Sequence, residues 1–269
     1  MLNINTNYGA AFAAKAAKST NNDLNTAFER LSSGSRINFA KDDAAGQGIS
    51  TRLAAEITSL DMASRNASDA QSMIDTADGA YQEVHSMLLR MREIAVQASN
   101  GTLSDADRTA LDAEVTALET EITSIADNTA FAGINLGTGE AVAFQIGTAN
   151  GNVLNHKFVD FDVSSIGGNI AVNSVSTATA ALKTVDGAIS TVSANRGTLG
   201  ALSNRLSSTI ANLDNISVNL SSARGRIQDT DFAEETSNLA KSQIMQQAAT
   251  AMLAQANASK GSILTLIQG

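Results

Sequence analysis

From Leu182 to Ile227 the apolar positions recur in alternating steps of three and four: Leu182, Val185, Ile189, Val192, Arg196, Leu199, Ser203, Leu206, Ile210, Leu213, Ser217, Leu220, Arg224 and Ile227. Ten of these fourteen positions are aliphatic. That alternation keeps a narrow stripe on one side of a helix, the seam against which a partner helix packs. As continuous helix the span would reach roughly 70 Å at about 1.5 Å per residue, so it predicts partner helices of similar length. Arg196, Ser203, Ser217 and Arg224 interrupt the stripe. Such positions are either imperfect packing or polar groups that fix register at a cost in stability, and the second reading is favoured.

The same period appears elsewhere. Ala10, Ala13, Ala17, Thr20, Leu24, Ala27 and Leu31 mark an opening helix that follows Leu2, Ile4 and Tyr8. Its seam is made of small residues, which allow close approach but bury little area, so it is not expected to stand alone. Gly34 suits a left-handed C-cap, and Asp42 or Asp43 suits the cap of the next helix. That second helix runs to Asn100-Gly101 on Ile49, Leu53, Ile57, Leu60, Met73, Ala77, Val84, Met87, Met91 and Ile94. Met87 and Met91 are expected to share a rod seam with Leu199, Leu206, Ile210 and Leu213. Ser104 with Asp107 has capping-box spacing and opens a shorter helix through Leu111, Val115, Leu118, Ile122 and Ile125. Gly225 marks the expected end of the spine. Asp231 with Glu234 then resembles a cap before a last helix carrying Met245, Ala249, Met252, Ala256, Ser259, Ile263 and Leu266.

Residues 128 to 178 differ. Seven of the nineteen glycines lie between Gly133 and Gly168. Val142, Phe144 and Ile146 alternate, as do Val159, Phe161 and Val163, the period-two signature of half-buried strands. Two or three short hairpins are expected. The fold class is therefore mainly α: a long antiparallel coiled-coil rod with a small β-hairpin region and helical terminal segments.

Composition narrows the function. Aromatic residues make up 4% of the chain, and Trp, Cys and Pro are absent, which removes disulfides and thiolate metal sites and forced helix kinks. A net charge of −9 argues against a nucleic-acid partner, which needs a basic face. No run approaches the roughly 18 apolar residues of a membrane span, so no membrane insertion is expected, and Met1 to Lys18 lacks the pattern of a cleaved signal peptide. His85 and His156 have no further ligands at metal spacing. No catalytic, metal or cofactor-binding residue is expected, and the chain does not read as an enzyme.

Several longer motifs carry a resemblance. Leu31 to Ser50 reads LSSGSRINFAKDDAAGQGIS, Arg90 to Gln97 reads RMREIAVQ, and Asn195 to Asn215 reads NRGTLGALSNRLSSTIANLDN. IQDTDFAEE follows from Ile227, and the tail contains QAATAMLAQAN. In this order they resemble bacterial flagellin, from residue 1 to about 165 and from 180 to 269. The resemblance implies a discontinuous terminal coiled-coil core, residues 1–42 plus 232–269, in which Leu24, Leu31, Met245, Met252, Ile263 and Leu266 pack inside a helical filament. Residues 43–231 form a rod around it. The large variable outer domain of many members is missing here or reduced to a linker near Gly167 to Thr179, which implies a thin and comparatively smooth filament. So does the absence of an H-E-x-x-H insertion imply no zinc protease.

The same resemblance implies the partners. They are many copies of the chain itself, an export chaperone on the C-terminal helix, hook-associated and cap proteins, and the flagellum's own type III export route to an extracellular filament. Arg90, Ile94 and Glu114 match family positions recognised by an animal innate immune receptor, although Leu89 and Ile94 depart from the residues usual there. Ordinary solvated helix charges are the plainer account of Arg90 and Glu114. Two other readings stand beside the filament subunit: a hook-filament junction protein with similar ends, and a non-polymeric coiled-coil adhesin.

Overall fold

The computed structural model describes residues 6–149, 151–166 and 168–268, with the side chains of 164, 166 and 260–268 outside the description. Helix α1 spans Tyr8–Ser33, α2 Ala44–Ala98 and α3 Asp105–Asn128. Strands β1 (Ala130–Phe131), β2 (Ile134–Asn135), β3 (Ala141–Gln145) and β4 (Val153–Lys157) follow, then the single turn α4 (Val163–Ile166) and the long helices α5 (Val175–Gln228) and α6 (Phe232–Gln268). The chain divides into two compact units, residues 1–55 with 219–269 and residues 56–218. The boundaries of these units fall within α2 and α5.

In the unit of residues 56–218, α2 and α5 run antiparallel. Polar rungs fix their register: Arg92 to Asp186 at 2.6 Å, Arg196 to Asp78 at 2.8 and 3.2 Å, Ser64 to Asp214 at 3.0 Å, and Ser217 to Asp61 at 3.0 Å. Two of the polar interruptions of the spine, Arg196 and Ser217, are therefore hydrogen-bonded across the helix pair. Between the rungs Val185, Val192, Leu199, Leu206 and Leu213 are buried, with Leu182, Ile189 and Ile210 half-buried. They face a core of Ile74, Tyr81, Val84, Leu88, Met91 and Ile94 from α2. The spine helix extends three residues beyond Gly225. There Asp229 lies so close that a Cβ on Gly225 would meet its carboxylate at 2.8 Å.

Helix α3 folds back along α2. The capping box at its start is formed: the Ser104 hydroxyl accepts from the Asp107 N–H and the Asp107 carboxylate from the Ser104 N–H. The Ser104 hydroxyl also donates to the Asp107 carboxylate at 2.7 Å, and this bond, followed by the one from the Ser104 N–H, holds that carboxyl below its ordinary pKa. The turn before it is fastened by buried Arg108. Its Nη1 donates to the carbonyls of Ala98 (2.8 Å) and Asn100 (2.9 Å), and its Nη2 to that of Leu103 (2.6 Å). A guanidinium placed on the last carbonyls of a helix satisfies orphan acceptors and opposes the negative end of the helix dipole.

Two hairpins pair antiparallel, β1 with β2 and β3 with β4. Alternation at Val142 to Ile146 locates β3. The strand expected at Val159–Val163 does not form; β3 pairs instead with Val153–Lys157, which places His156 within β4. The reason is local. Asp160 accepts from the Asp162 N–H at 2.9 Å and from the Ser165 hydroxyl at 2.8 Å, a turn that competes with a sheet ladder. Phe158 and Phe161, three residues apart, are both fully buried there. The Tyr81 hydroxyl donates to the Val159 carbonyl, and its ring tilts against Phe161 at 4.7 Å. Burial pushes the Tyr81 phenol up to about 12.

Beyond α4 an extended strap is pinned to α3 by two carboxylates. Glu119 accepts from the Ile170 N–H at 2.6 Å and Asp112 from the Val172 N–H at 2.7 Å. Ile170 and Val172 are both buried. Burial raises the Glu119 carboxyl above its ordinary value; the Ile170 hydrogen bond opposes this and the nearby Asp112 charge adds to it.

Candidate assembly interface

The terminal unit is built on α1 and α6. Gly34 closes α1 in the left-handed conformation at φ 70°, and Asp43 receives the Gly46 N–H at 2.8 Å at the start of α2. Within this unit Arg36 donates from its backbone to the Gln228 carbonyl (2.6 Å) and from Nη2 to the Ile227 carbonyl (3.0 Å). The Ser50 hydroxyl donates to the Gln228 side chain at 2.6 Å. These bonds bring the start of α6 beside the end of α1. Asp231 caps α6 by accepting from the Ala233 and Glu234 N–H groups.

Helices α1 and α6 lie antiparallel. The Asn7 amide donates to the Ala256 carbonyl (3.1 Å), the Gln246 amide to Asn21 (2.8 Å), and Arg30 approaches Glu235 at 3.7 Å. The predicted α1 seam is the one used: Ala13, Thr20 and Ala27 are buried, and Ala10, Ala17, Leu24 and Leu31 are half-buried. On α6 the inward face is offset by one position from the expected stripe. It runs through Glu235, Leu239, Ser242, Gln246, Ala249, Leu253 and Ala256. Only Ala249 and Ala256 belong to both. Small residues buried on α1 let the axes come close at Ala249, with Leu239 and Leu253 half-buried on either side, while Met245 and Met252 are turned aside.

The pair consequently presents large apolar side chains outward. Tyr8, Phe12 and Phe28 on α1, and Phe232, Ile244, Met245 and Met252 on α6, are all exposed, Phe12 at 73%. The seam pattern pointed to Met245 and Met252 but not to Phe12, Phe28 or Ile244. For the aromatic residues the signal was rarity, because a chain with eight Phe and two Tyr places one of each a turn apart at Tyr8 and Phe12; nothing marked Ile244. Ile263 and Leu266 lie outside the described side chains, and Leu2 and Ile4 outside the described residues.

The remaining candidates fall in the other unit. Leu199, Leu206, Leu213 and Met91 are buried, Ile210 and Met87 half-buried. Arg90 is exposed and committed to its neighbours: Nε and Nη2 donate to Glu114 at 2.9 and 2.8 Å, and Nη1 to Glu93 at 3.0 Å. Those bonds, to Glu114 first, raise the guanidinium's already high pKa. Ile94 is 1% exposed. It belongs to the core cluster that α2 shares with α3 and α5 rather than to the exposed surface. His156 packs edge-on to Phe158 at 4.9 Å, and burial lowers its pKa. Among the described residues no group of three His, Cys, Asp or Glu is placed to hold a metal ion, and no helix is long and apolar enough to cross a membrane.

Residues 4–141 match the bacterial flagellin N-terminal helical region and residues 182–267 the bacterial flagellin C-terminal helical region. The chain belongs to the bacterial flagellin family. A flagellin of Halalkalibacterium halodurans is 42% identical over 247 residues, covering 90% of this chain and 91% of the relative. Flagellin A of Vibrio cholerae is 33% identical over 387 aligned positions, covering 99% and 100%. An alignment of 387 positions against a chain of 269 residues marks this as a short member, and in it β4 and α5 are joined by residues 158–174 alone. The crystal structure of Bacillus cereus flagellin superposes with a TM-score of 0.52 at 32% identity, over 55% of this chain and 88% of that one. A putative flagellar hook-associated protein from Vibrio parahaemolyticus shares the fold at a TM-score of 0.62 and 16% identity, over 70% and 100%. This flagellin is a structural subunit that self-assembles into the extracellular filament of the bacterial flagellum.

Proposed function

We propose that assembly works by covering the outer faces of α1 and α6 with the same helices of neighbouring subunits. The observation that carries this reading is the set of large exposed apolar residues on the terminal pair, Phe12 and Ile244 foremost. An apolar face of this kind gains free energy by leaving water. A contact between unlike faces, repeated by a rotation and translation that do not close, builds an open helical polymer. Leu24, Leu31, Met245 and Met252, with Ile263 and Leu266 further along α6, are the residues assigned to the inner wall. Residues 1–42 and 232–269 form that wall and residues 43–231 pack outside it, held by the Leu199, Leu206, Ile210, Leu213, Met87 and Met91 seam.

Removing residues 1–31 and 232–269 should leave a helical monomer that does not polymerise, since residues 56–218 carry a core of their own. Filaments of the truncated chain in electron micrographs would refute the reading. The exposed C-terminal helix is also the segment suited to an export chaperone before assembly. The type III route, hook-associated and cap proteins, and absence of catalytic or cofactor chemistry belong to the same reading. A second reading concerns recognition by an innate immune receptor through the exposed Arg90 and the half-buried Glu114 bonded to it, with Ile94 as packing in the core. Arg90→Ala should lower reporter-cell stimulation by the monomer; equal signalling would refute this.

A further inference from the structure

We propose that Met245 and Met252 are an oxidation site through which peroxide-class oxidants stop a subunit from joining the filament. The inference rests on the reading that neighbouring copies cover the outer face of α6. Met245 and Met252 stand seven residues apart on that face, 50% and 53% exposed, with Ile244 beside them. A seven-residue step returns two side chains to the same side of a helix. The chain has no cysteine and seven methionines, so thioethers are its only oxidisable sulfur. Met73 and Met91 are buried in the other unit, and Met87 is half-buried. Met62 is exposed but belongs to α2 in the unit of residues 56–218, and receives a hydrogen bond from Arg65. Among the described residues, oxidant access and the assembly face therefore coincide at two sulfurs.

In the step, the thioether sulfur attacks one peroxide oxygen and the O–O bond breaks. The sulfur takes up that oxygen and is oxidised by two electrons; the other oxygen leaves as water after proton transfer from the peroxide. The product, a sulfoxide, is polar and chiral where the thioether was apolar and flexible. Burying its oxygen without a donor is unfavourable, so an oxidised α6 loses what draws it into the polymer. Once assembled, the same sulfurs are shielded. The block is reversible, because sulfoxide reductases restore the thioether.

The test uses the full-length subunit, treated with graded hydrogen peroxide, quenched, and offered to filament seeds. Polymer and supernatant are separated by sedimentation, and sulfoxide at each methionine is measured by peptide mass spectrometry. Sulfoxide at Met245 and Met252 should be depleted roughly tenfold from the polymer relative to the supernatant, whereas sulfoxide at Met62 should partition evenly. A Met245→Leu, Met252→Leu variant should assemble equally well with and without peroxide. Even partition at all three sulfurs, or equal loss of assembly in the double variant, overturns the proposal. Untreated subunits that fail to add to seeds would overturn the assembly reading, and this proposal with it; even partition in subunits that do assemble overturns this proposal alone.

Discussion

Arg108 is a single side chain on which a whole turn depends. It is buried and holds three backbone carbonyls at the α2–α3 turn. In Arg108→Met these acceptors lose a charged donor, and a loss of about 2–3 kcal/mol is expected, read as a lower denaturation midpoint with an unchanged slope. Nothing in the sequence announced this role, because backbone carbonyls carry no side-chain signature. By contrast, Ser104 and Asp107 were legible, since a capping box is written in residue types at fixed spacing. Glu119 makes a pH-dependent prediction. Its folded pKa is raised by burial, so its contribution is fully present below the unfolded glutamate value and is lost as pH rises through the folded one. Gln at this position keeps an acceptor for the Ile170 N–H and does not titrate. The stability of Glu119→Gln relative to the natural protein should therefore rise between mildly acidic and neutral pH in thermal melts. A difference that stays flat would contradict the assignment.

Among the elements, the spine was legible because α5 is long, periodic and unbroken by proline. All fourteen of its predicted seam positions are buried or half-buried. Leu206→Ala in its middle should lose about 2–5 kcal/mol through a cavity, measured by chemical denaturation. Arg196→Leu should change stability by no more than about 1 kcal/mol, because the Asp78 pair is partly exposed and such pairs contribute little. The face of α6 was misread by one position. A run of Ala, Ser, Gln and Met supports two overlapping stripes, and the choice between them comes from the small residues of α1 opposite, which lie more than two hundred residues away in the chain. The misplaced strand had a different cause: Val159, Phe161 and Val163 alternate, but Asp160 forms a turn that alternation does not reveal. Gly137 was likewise silent, though a Cβ there would lie 2.2 Å from the Ala126 carbonyl oxygen. Gly137→Ala should destabilise the hairpin region because backbone, not a flexible side chain, blocks it.

For the molecule as a whole, the sequence made family and polymeric habit legible through long motifs near both ends. What it could not reveal was how the terminal helices divide their surfaces. The structure buries Ala13, Thr20, Ala27 and Ala249 in the α1–α6 contact, with Leu24, Leu31, Leu239 and Leu253 half-buried, and leaves Phe12, Phe28, Ile244, Met245 and Met252 outside, so internal packing and readiness for partners coexist in one helix pair. On this division the proposed assembly rests. Hydroxyl-radical footprinting of monomer and filament, read residue by residue by mass spectrometry, addresses it most directly. Phe12, Phe28, Ile244, Met245 and Met252 should label strongly in the monomer and become protected in the filament. Equal labelling of these residues in both states would contradict the account.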